Sequence, residues 1–432
     1  MRTIQGIAAG LFLLALAGTA AAAQPAAAAG AAPAGQDAAR AERFDPEAAT
    51  EAYLARLSPQ ERARSDAYFE GGYWLLLWGF LYGLAVFWVL LATRLSARMR
   101  DLAERATRFR PLRTLLYTLQ YFVVSALLFF PFTVYTDFFR EHQYGMATQD
   151  FPAWMVDQLK GLGVTLVVGG AALMGLYGVL RKAPRTWWIW GAVVAVAFLV
   201  VAVALDPVFI EPIFNDYTEL KDPAIREPIL SLARANGIPE RHVYVVDASR
   251  QTKRISANVA GLFGTTRIAL NDNLLKRVSP AGIEAVMGHE MGHYVLNHVY
   301  EKILYFAVVL TGGFAFLRWS FDRILAGRGE RWGVRGVSDP AGLPLLAALL
   351  AVYFFVLTPL NNTFIRTNEA EADIFGLNAV QQPDGFADVS LKLSEYRKIS
   401  PGPIEEWIFY DHPSGRNRIL MAMRWKAEHL KP

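Results

Sequence analysis

Apolar positions along the 432 residues gather into long uninterrupted runs, separated by short stretches rich in charge. Uncharged runs of about twenty residues occupy 73–93, 114–136, 161–180, 186–205 and 340–360, and a sixth run, 303–321, carries Arg318 near its end. Each is long enough to cross the apolar core of a bilayer as a helix. Arg318 sits where a long side chain can snorkel to the interface. Any one run could be a buried helix of a soluble protein, but six together predict a membrane α-helical bundle of about six to seven transmembrane helices. Trp187, Trp188 and Trp190 crowd one helix entrance, as an aromatic belt does.

The polar segment 207–302 has another texture. Its pattern predicts a helix over 222–236 and a strand at 242–247. Two strand-like runs follow, "RISANVAG" and "TRIALND", joined through Gly264, and then a helix capped by Ser279 with Pro280 in its first turn. An α+β unit is expected there.

The first residues combine a basic start at Arg2, an apolar core from Ile7 to Ala17 and small residues at Ala21 and Ala23. Residues 1–23 read as a secretory signal peptide, with a retained first membrane helix as the alternative. An Ala/Pro/Gly-rich tract then opens a linker, 24–72, holding one short surface helix that begins with a capping box of Ser58 and Glu61 and has Pro59 at its first position.

Charge orients the bundle. Seven arginines lie in 94–113; Arg181, Lys182 and Arg185 follow a later run; Arg323, Arg328, Arg331 and Arg335 follow another. All three groups alternate so as to share one side, which the positive-inside rule makes cytoplasmic. Segments 207–302 and 361–432 then share the opposite side, the periplasm of a bacterial inner membrane. Net charge is only +4, with no basic face, so nucleic acid is not an expected partner. Cysteine is absent, which leaves His, Asp and Glu as the residues for a metal site.

"MGHEMGHYVLNH", 287–298, holds three of the seven histidines. His289 and His293 are one turn apart on the expected helix and can share one Zn²⁺, with Glu290 placed to reach a water without binding the metal, the H-E-x-x-H arrangement of metalloproteases. His298, five residues further, would be rotated by about 140° on an unbroken helix and is expected to pack elsewhere. A third ligand must come from another segment, and "RTNEAEADIFGL", 366–377, follows the last run. Glu369 and Asp373 share a helix face there, with Glu371 pointing away. Spacing alone leaves two readings of that face: a third ligand, Glu369, with Asp373 orienting an imidazole, or a solvated acidic surface.

Taken with these motifs, the sequence resembles the integral-membrane zinc metalloproteases of the CAAX prenyl protease type I family. The likeness runs from about 114 to the end. It rests on "HEMGHYVLNH", on Glu369 to Asp373 as E-x-x-A-D, on His412 and Pro413 followed by Arg418, and on "FIEPIFNDYTEL" at 209–220. The resemblance implies a zincin-like domain binding one Zn²⁺ through His289, His293 and Glu369, with Glu290 as base. Asp373 is implied as a supporting residue or proton donor. His412 and Arg418 are implied to stabilise the oxyanion or orient the substrate. The stretch 256–261, with Ser256, Ala257, Asn258 and Gly261, stands in place of a substrate-pairing edge strand, and Ser256 replaces the family's asparagine. Seven helices around a chamber are implied, one more than the six runs.

The expected layout is four spans in 73–206, catalytic segments 207–302 and 361–432, and two spans in 303–360. The expected activity is cleavage of membrane-associated or exported polypeptides. The competing expectation is a multi-helix binding or transport protein with a structural or vestigial zinc site, which spans free of ionisable groups argue against.

Overall fold

In a computed structural model of the chain, residues 44–261 and 266–430 are described. The signal segment, the Ala/Pro/Gly-rich tract and Gly264 lie outside them. A helix α1 (Pro46–Leu54) comes first, started by Asp45, whose carboxylate accepts from the amides of Glu47 and Ala48. Next is α2 (Pro59–Ala92), 34 residues long. The short surface helix expected after Ser58 is therefore the beginning of the first span. Its capping box is present, and the helix runs on through Gly71 and Gly72 into the apolar run without ending.

Four more long helices follow the same logic: α3 (Arg110–Gln143), α4 (Phe151–Lys182), α5 (Trp187–Phe214) and, after the polar segment, α6 (His298–Ala326). Among the described residues, these five are long and apolar enough to cross a membrane. The run at 340–360 is different: Pro340–Val356 and Thr358–Val380 form a pair bent by 58°. Large apolar side chains face outward along the spans, with Trp74 63%, Leu127 69% and Val167 72% exposed, as lipid contact requires. Trp187 departs from the expected belt: it turns inward against Phe314, while Trp190 stays exposed.

The arginine-rich connections meet at one end of the bundle. The Arg94 guanidinium donates to the carbonyls of Glu330 and Arg331, Arg100 pairs with Asp339 at 2.6 Å, and Arg181 donates to Thr114.

The polar segment folds into a four-stranded sheet of order β1-β2-β4-β3, where β1 is Tyr217–Glu219, β2 Val243–Val246, β3 Ala257–Ala260 and β4 Arg267–Asn271. β1 pairs antiparallel with β2, β2 parallel with β4, and β3 antiparallel with β4, which leaves β3 an edge strand. Against the sheet lie α7 (Pro223–Ala235) and α8 (Pro280–Val295). Ser279 caps α8 through the Gly282 amide.

α8 is buried on several faces, each set by helical spacing. Ile283, Met287 and Met291 pack on the sheet, and Ala285 joins a second cluster with Leu54, Phe386, Ile419 and Trp425. Gly288 and Gly292 form a third face, against the helix α9 (Thr358–Val380). A Cβ on Gly292 would lie 3.1 Å from the Ala372 Cα, and a Cβ on Gly376 2.8 Å from the backbone nitrogen of His289. Small residues four apart on both helices thus let the two backbones touch. Gly376→Ala should destabilise the protein by about 1–3 kcal/mol, because backbone has to move. Gly178→Ala in α4, where an added methyl meets nothing within 4 Å, should leave stability equal or raised. Denaturation in detergent micelles checks this; equal stability of the two variants would contradict the contact.

Candidate active site

The crossing of α8 and α9 determines which side chains meet. From α8, His289 and His293 project at one-turn spacing; from α9, Glu369 and Asp373 project likewise, all within about a turn of the glycine contact. His289 Nε2 lies 3.3 Å from Glu369 Oε2, His293 Nε2 3.4 Å from the same oxygen, and the two imidazole nitrogens 3.2 Å apart. Zn–N and Zn–O bonds of about 2.0–2.1 Å at tetrahedral angles separate neighbouring ligand atoms by about 3.3–3.4 Å. The donor set therefore fits a tetrahedral ion with three protein ligands.

Each member of the set is held from behind. His289 Nδ1 is 2.7 Å from Asp373 Oδ1, and Asp373, fully buried, accepts from Arg418 Nε at 2.9 Å and from Arg418 Nη2. The other oxygen of Glu369, Oε1, faces Lys302 Nζ at 3.8 Å. His412 reaches Glu369 Oε2 through Nε2 at 3.2 Å, while its Nδ1 meets Asp411 Oδ1 at 2.8 Å.

Burial pushes the Glu290 carboxyl up to about 7, against the neighbouring positive charge of His289. For His289, burial acts to lower the pKa, but the Asp373 and Glu369 carboxylates outweigh it and hold the ring up at about 10. For His293 burial prevails, and the ring is pushed down to about 4.

The Arg418 guanidinium, expected to serve the oxyanion or the substrate, donates to the Asp373 carboxylate behind His289. Two sequence expectations change. His298 is not turned away. α8 ends at Val295, Asn297 takes a left-handed conformation (φ 62°), and α6 starts afresh at His298, so the rotation of an unbroken helix does not apply. The ring returns to His293, Nδ1 to Nδ1 2.8 Å. Glu371 likewise faces a partner, His298 Nε2, at 3.2 Å.

Lys302 and Asp411 were not singled out from sequence. Lys302 stands one turn after His298, a spacing that could have drawn notice. Asp411 stood out only as the neighbour of His412.

The stretch 256–261 supplies the edge strand β3. Ala257 and Val259 pack toward the core, and strand alternation turns Asn258 the other way. Its Oδ1 is buried without a hydrogen-bond partner among the described residues. The Ser256 carbonyl accepts from the Asn271 amide at 2.9 Å, and Gly261 follows at φ +134°, a backbone conformation that suits glycine.

Two family models match the chain: "CAAX prenyl protease N-terminal, five membrane helices" over 45–216, and "Peptidase family M48" over 219–426. Within 45–216, the described residues carry four of the long apolar helices. The chain is 27% identical to an uncharacterized metalloprotease of Bacillus subtilis, YhfN, across 85% of this chain and 86% of that one. It is 26% identical to CAAX prenyl protease 1 of Saccharomyces cerevisiae, across 71% of each chain. The crystal structure of S. mikatae Ste24p superimposes with a TM-score of 0.71 at 21% identity, covering 88% of this chain and 95% of that one, and so shares the fold. With adjoining models spanning the membrane helices and the H-E-x-x-H domain, the chain belongs to peptidase family M48, as a multi-pass membrane metalloendopeptidase of the CAAX prenyl protease type.

Proposed function

We propose that the protein is a zinc-dependent endopeptidase that binds one Zn²⁺ per chain through His289, His293 and Glu369 and uses Glu290 as its general base. The observation carrying this reading is the convergence of two imidazole nitrogens and one carboxylate oxygen at 3.2–3.4 Å from one another. A bound Zn²⁺ would supply Lewis acidity, lowering the pKa of a water and polarising a peptide carbonyl.

The chain's own residues do the rest. Glu290, next to His289 on α8, takes the proton of the attacking water and returns it to the leaving amine. His412, with Nδ1 fixed on Asp411, presents Nε2 to the site and is the group for the developing oxyanion. Asp373, clamped by Arg418, holds the tautomer of His289 so that Nε2 stays free for the metal. β3, an edge strand, offers its open side to an extended substrate, with Ser256, Ala257, Asn258 and Gly261 as the contacting stretch.

Sidedness selects the substrate class. The three arginine-rich connections meet at one end of the bundle, which supports their lying together on the cytoplasmic side. The metal site is carried by the segments between the other helix ends, on the periplasmic side of a bacterial inner membrane in this reading. Prenylated CAAX peptides, which the names of the yeast and other relatives point to, would be cytoplasmic. The substrates favoured here are instead exported or membrane-associated polypeptides, in quality control or maturation.

Three outcomes follow. Glu290→Gln should lower casein or peptide cleavage by about 10²–10⁴-fold while zinc content stays at that of wild type; unchanged cleavage would remove Glu290 from its role. Stripping the metal with a chelator should abolish cleavage and adding Zn²⁺ should restore it, whereas activity that survives complete metal removal would contradict a zinc mechanism. A C-terminal alkaline phosphatase fusion should be active in cells; fluorescence from a reporter that matures only in the cytoplasm would reverse the assignment of sides.

A further inference from the structure

The two histidines of the site are braced by separate devices, and only that of His289 is of the familiar carboxylate kind. His293 meets another imidazole. Its Nδ1 lies 2.8 Å from His298 Nδ1, with the rings at 67° and centroids 5.1 Å apart, and His298 is 1% exposed. The far nitrogen of His298, Nε2, is 3.2 Å from Glu371 Oε2 on α9.

Proton bookkeeping leaves one arrangement. His293 Nε2 faces Glu369 Oε2 and His289 Nε2, so under the zinc reading above its lone pair belongs to the metal and its proton sits on Nδ1. That proton is donated to His298 Nδ1, which must then be the bare nitrogen of its ring. The proton of His298 is consequently on Nε2 and is donated to the Glu371 carboxylate.

We propose that His298 and Glu371 are a positioning pair that fixes the tautomer and ring plane of His293 for zinc. The inference rests on the zinc assignment of the previous subsection. The break at Asn297 is what makes it possible, because only a restarted helix brings His298 back over His293.

A rival use of the same groups is a second metal site, since His298, Glu301 and Glu371 have donor atoms within 4.8 Å of one another. One observation opposes it: the Glu301 Oε2 accepts from Asn368 Nδ2 at 2.8 Å.

The experiment is zinc competition against a chromophoric chelator on the full-length protein in detergent, with zinc counted per chain. His298→Leu should weaken zinc binding by about 10–100-fold. His298→Gln, whose carbonyl can accept from His293 and whose amide can donate to Glu371, should recover most of that loss. Glu371→Ala changes an exposed side chain on which no core packing depends, so it keeps the test valid if His298→Leu folds poorly; a loss of a few-fold to about tenfold is expected.

Wild-type affinity in both His298→Leu and Glu371→Ala would overturn the proposal alone. His298→Gln as impaired as His298→Leu would reduce His298 to packing. Two zinc ions per wild-type chain, one lost in His298→Leu, would establish the second metal site instead. A wild-type protein that binds no zinc would overturn the zinc assignment itself, and this pairing with it.

Discussion

The site depends on one steric fact: the backbones of α8 and α9 come into contact. Gly288 and Gly292 face Ala372 and Gly376, and at Gly376 there is no room for a side chain. A wider separation of the two helices would draw His289 and His293 away from Glu369 and open the 3.2–3.4 Å contacts between them. With the backbones touching, His289, His293 and Glu369 converge from side chains of ordinary length. Asp373, one turn after Glu369, falls behind His289 for the same reason. The glycines therefore act on the chemistry without taking part in it.

The bundle explains why the contact is maintained between segments separated by 84 residues, the distance from His289 to Asp373. α6 continues from the end of α8 across the bilayer region, and the bent pair ending in α9 returns from the arginine-rich end. Each strand of the crossing is thus anchored by an apolar element whose position is fixed by lipid and by the packing of α6 against its neighbours. α1 and the C-terminal helices close the other side of α8, and Arg418 reaches Asp373 from there. Removing water from these ion pairs is costly, so their burial is tolerable only because each charged group has its partners in place.

The sequence made some of this legible and hid the rest for identifiable reasons. Uncharged runs marked the spans, and i, i+4 spacing marked His289 with His293 and Glu369 with Asp373, because helical periodicity survives in any context. The strands at 242–247 and within 256–271 could be placed by their turn residues. Two misreadings came from assuming continuity or its absence. The helix starting at Ser58 is not a separate short one, because it runs through Gly71 and Gly72 into the apolar run, and the helix through His298 is not unbroken, because Asn297 adopts a left-handed conformation. The pairing of Arg418 with Asp373 depends on a fold-level contact 45 residues apart that no local spacing announces.

The central claim is that the two crossing helices present one tetrahedral metal position with three protein ligands. Zinc-edge X-ray absorption on the purified protein tests it most directly. One zinc per chain is expected, with a first shell of nitrogen and oxygen at about 2.0–2.1 Å, an imidazole signature from two histidines, and loss of the bound ion on Glu369→Ala. A stoichiometric zinc whose shell is unchanged by Glu369→Ala, or a shell fitted by a single imidazole, would contradict it.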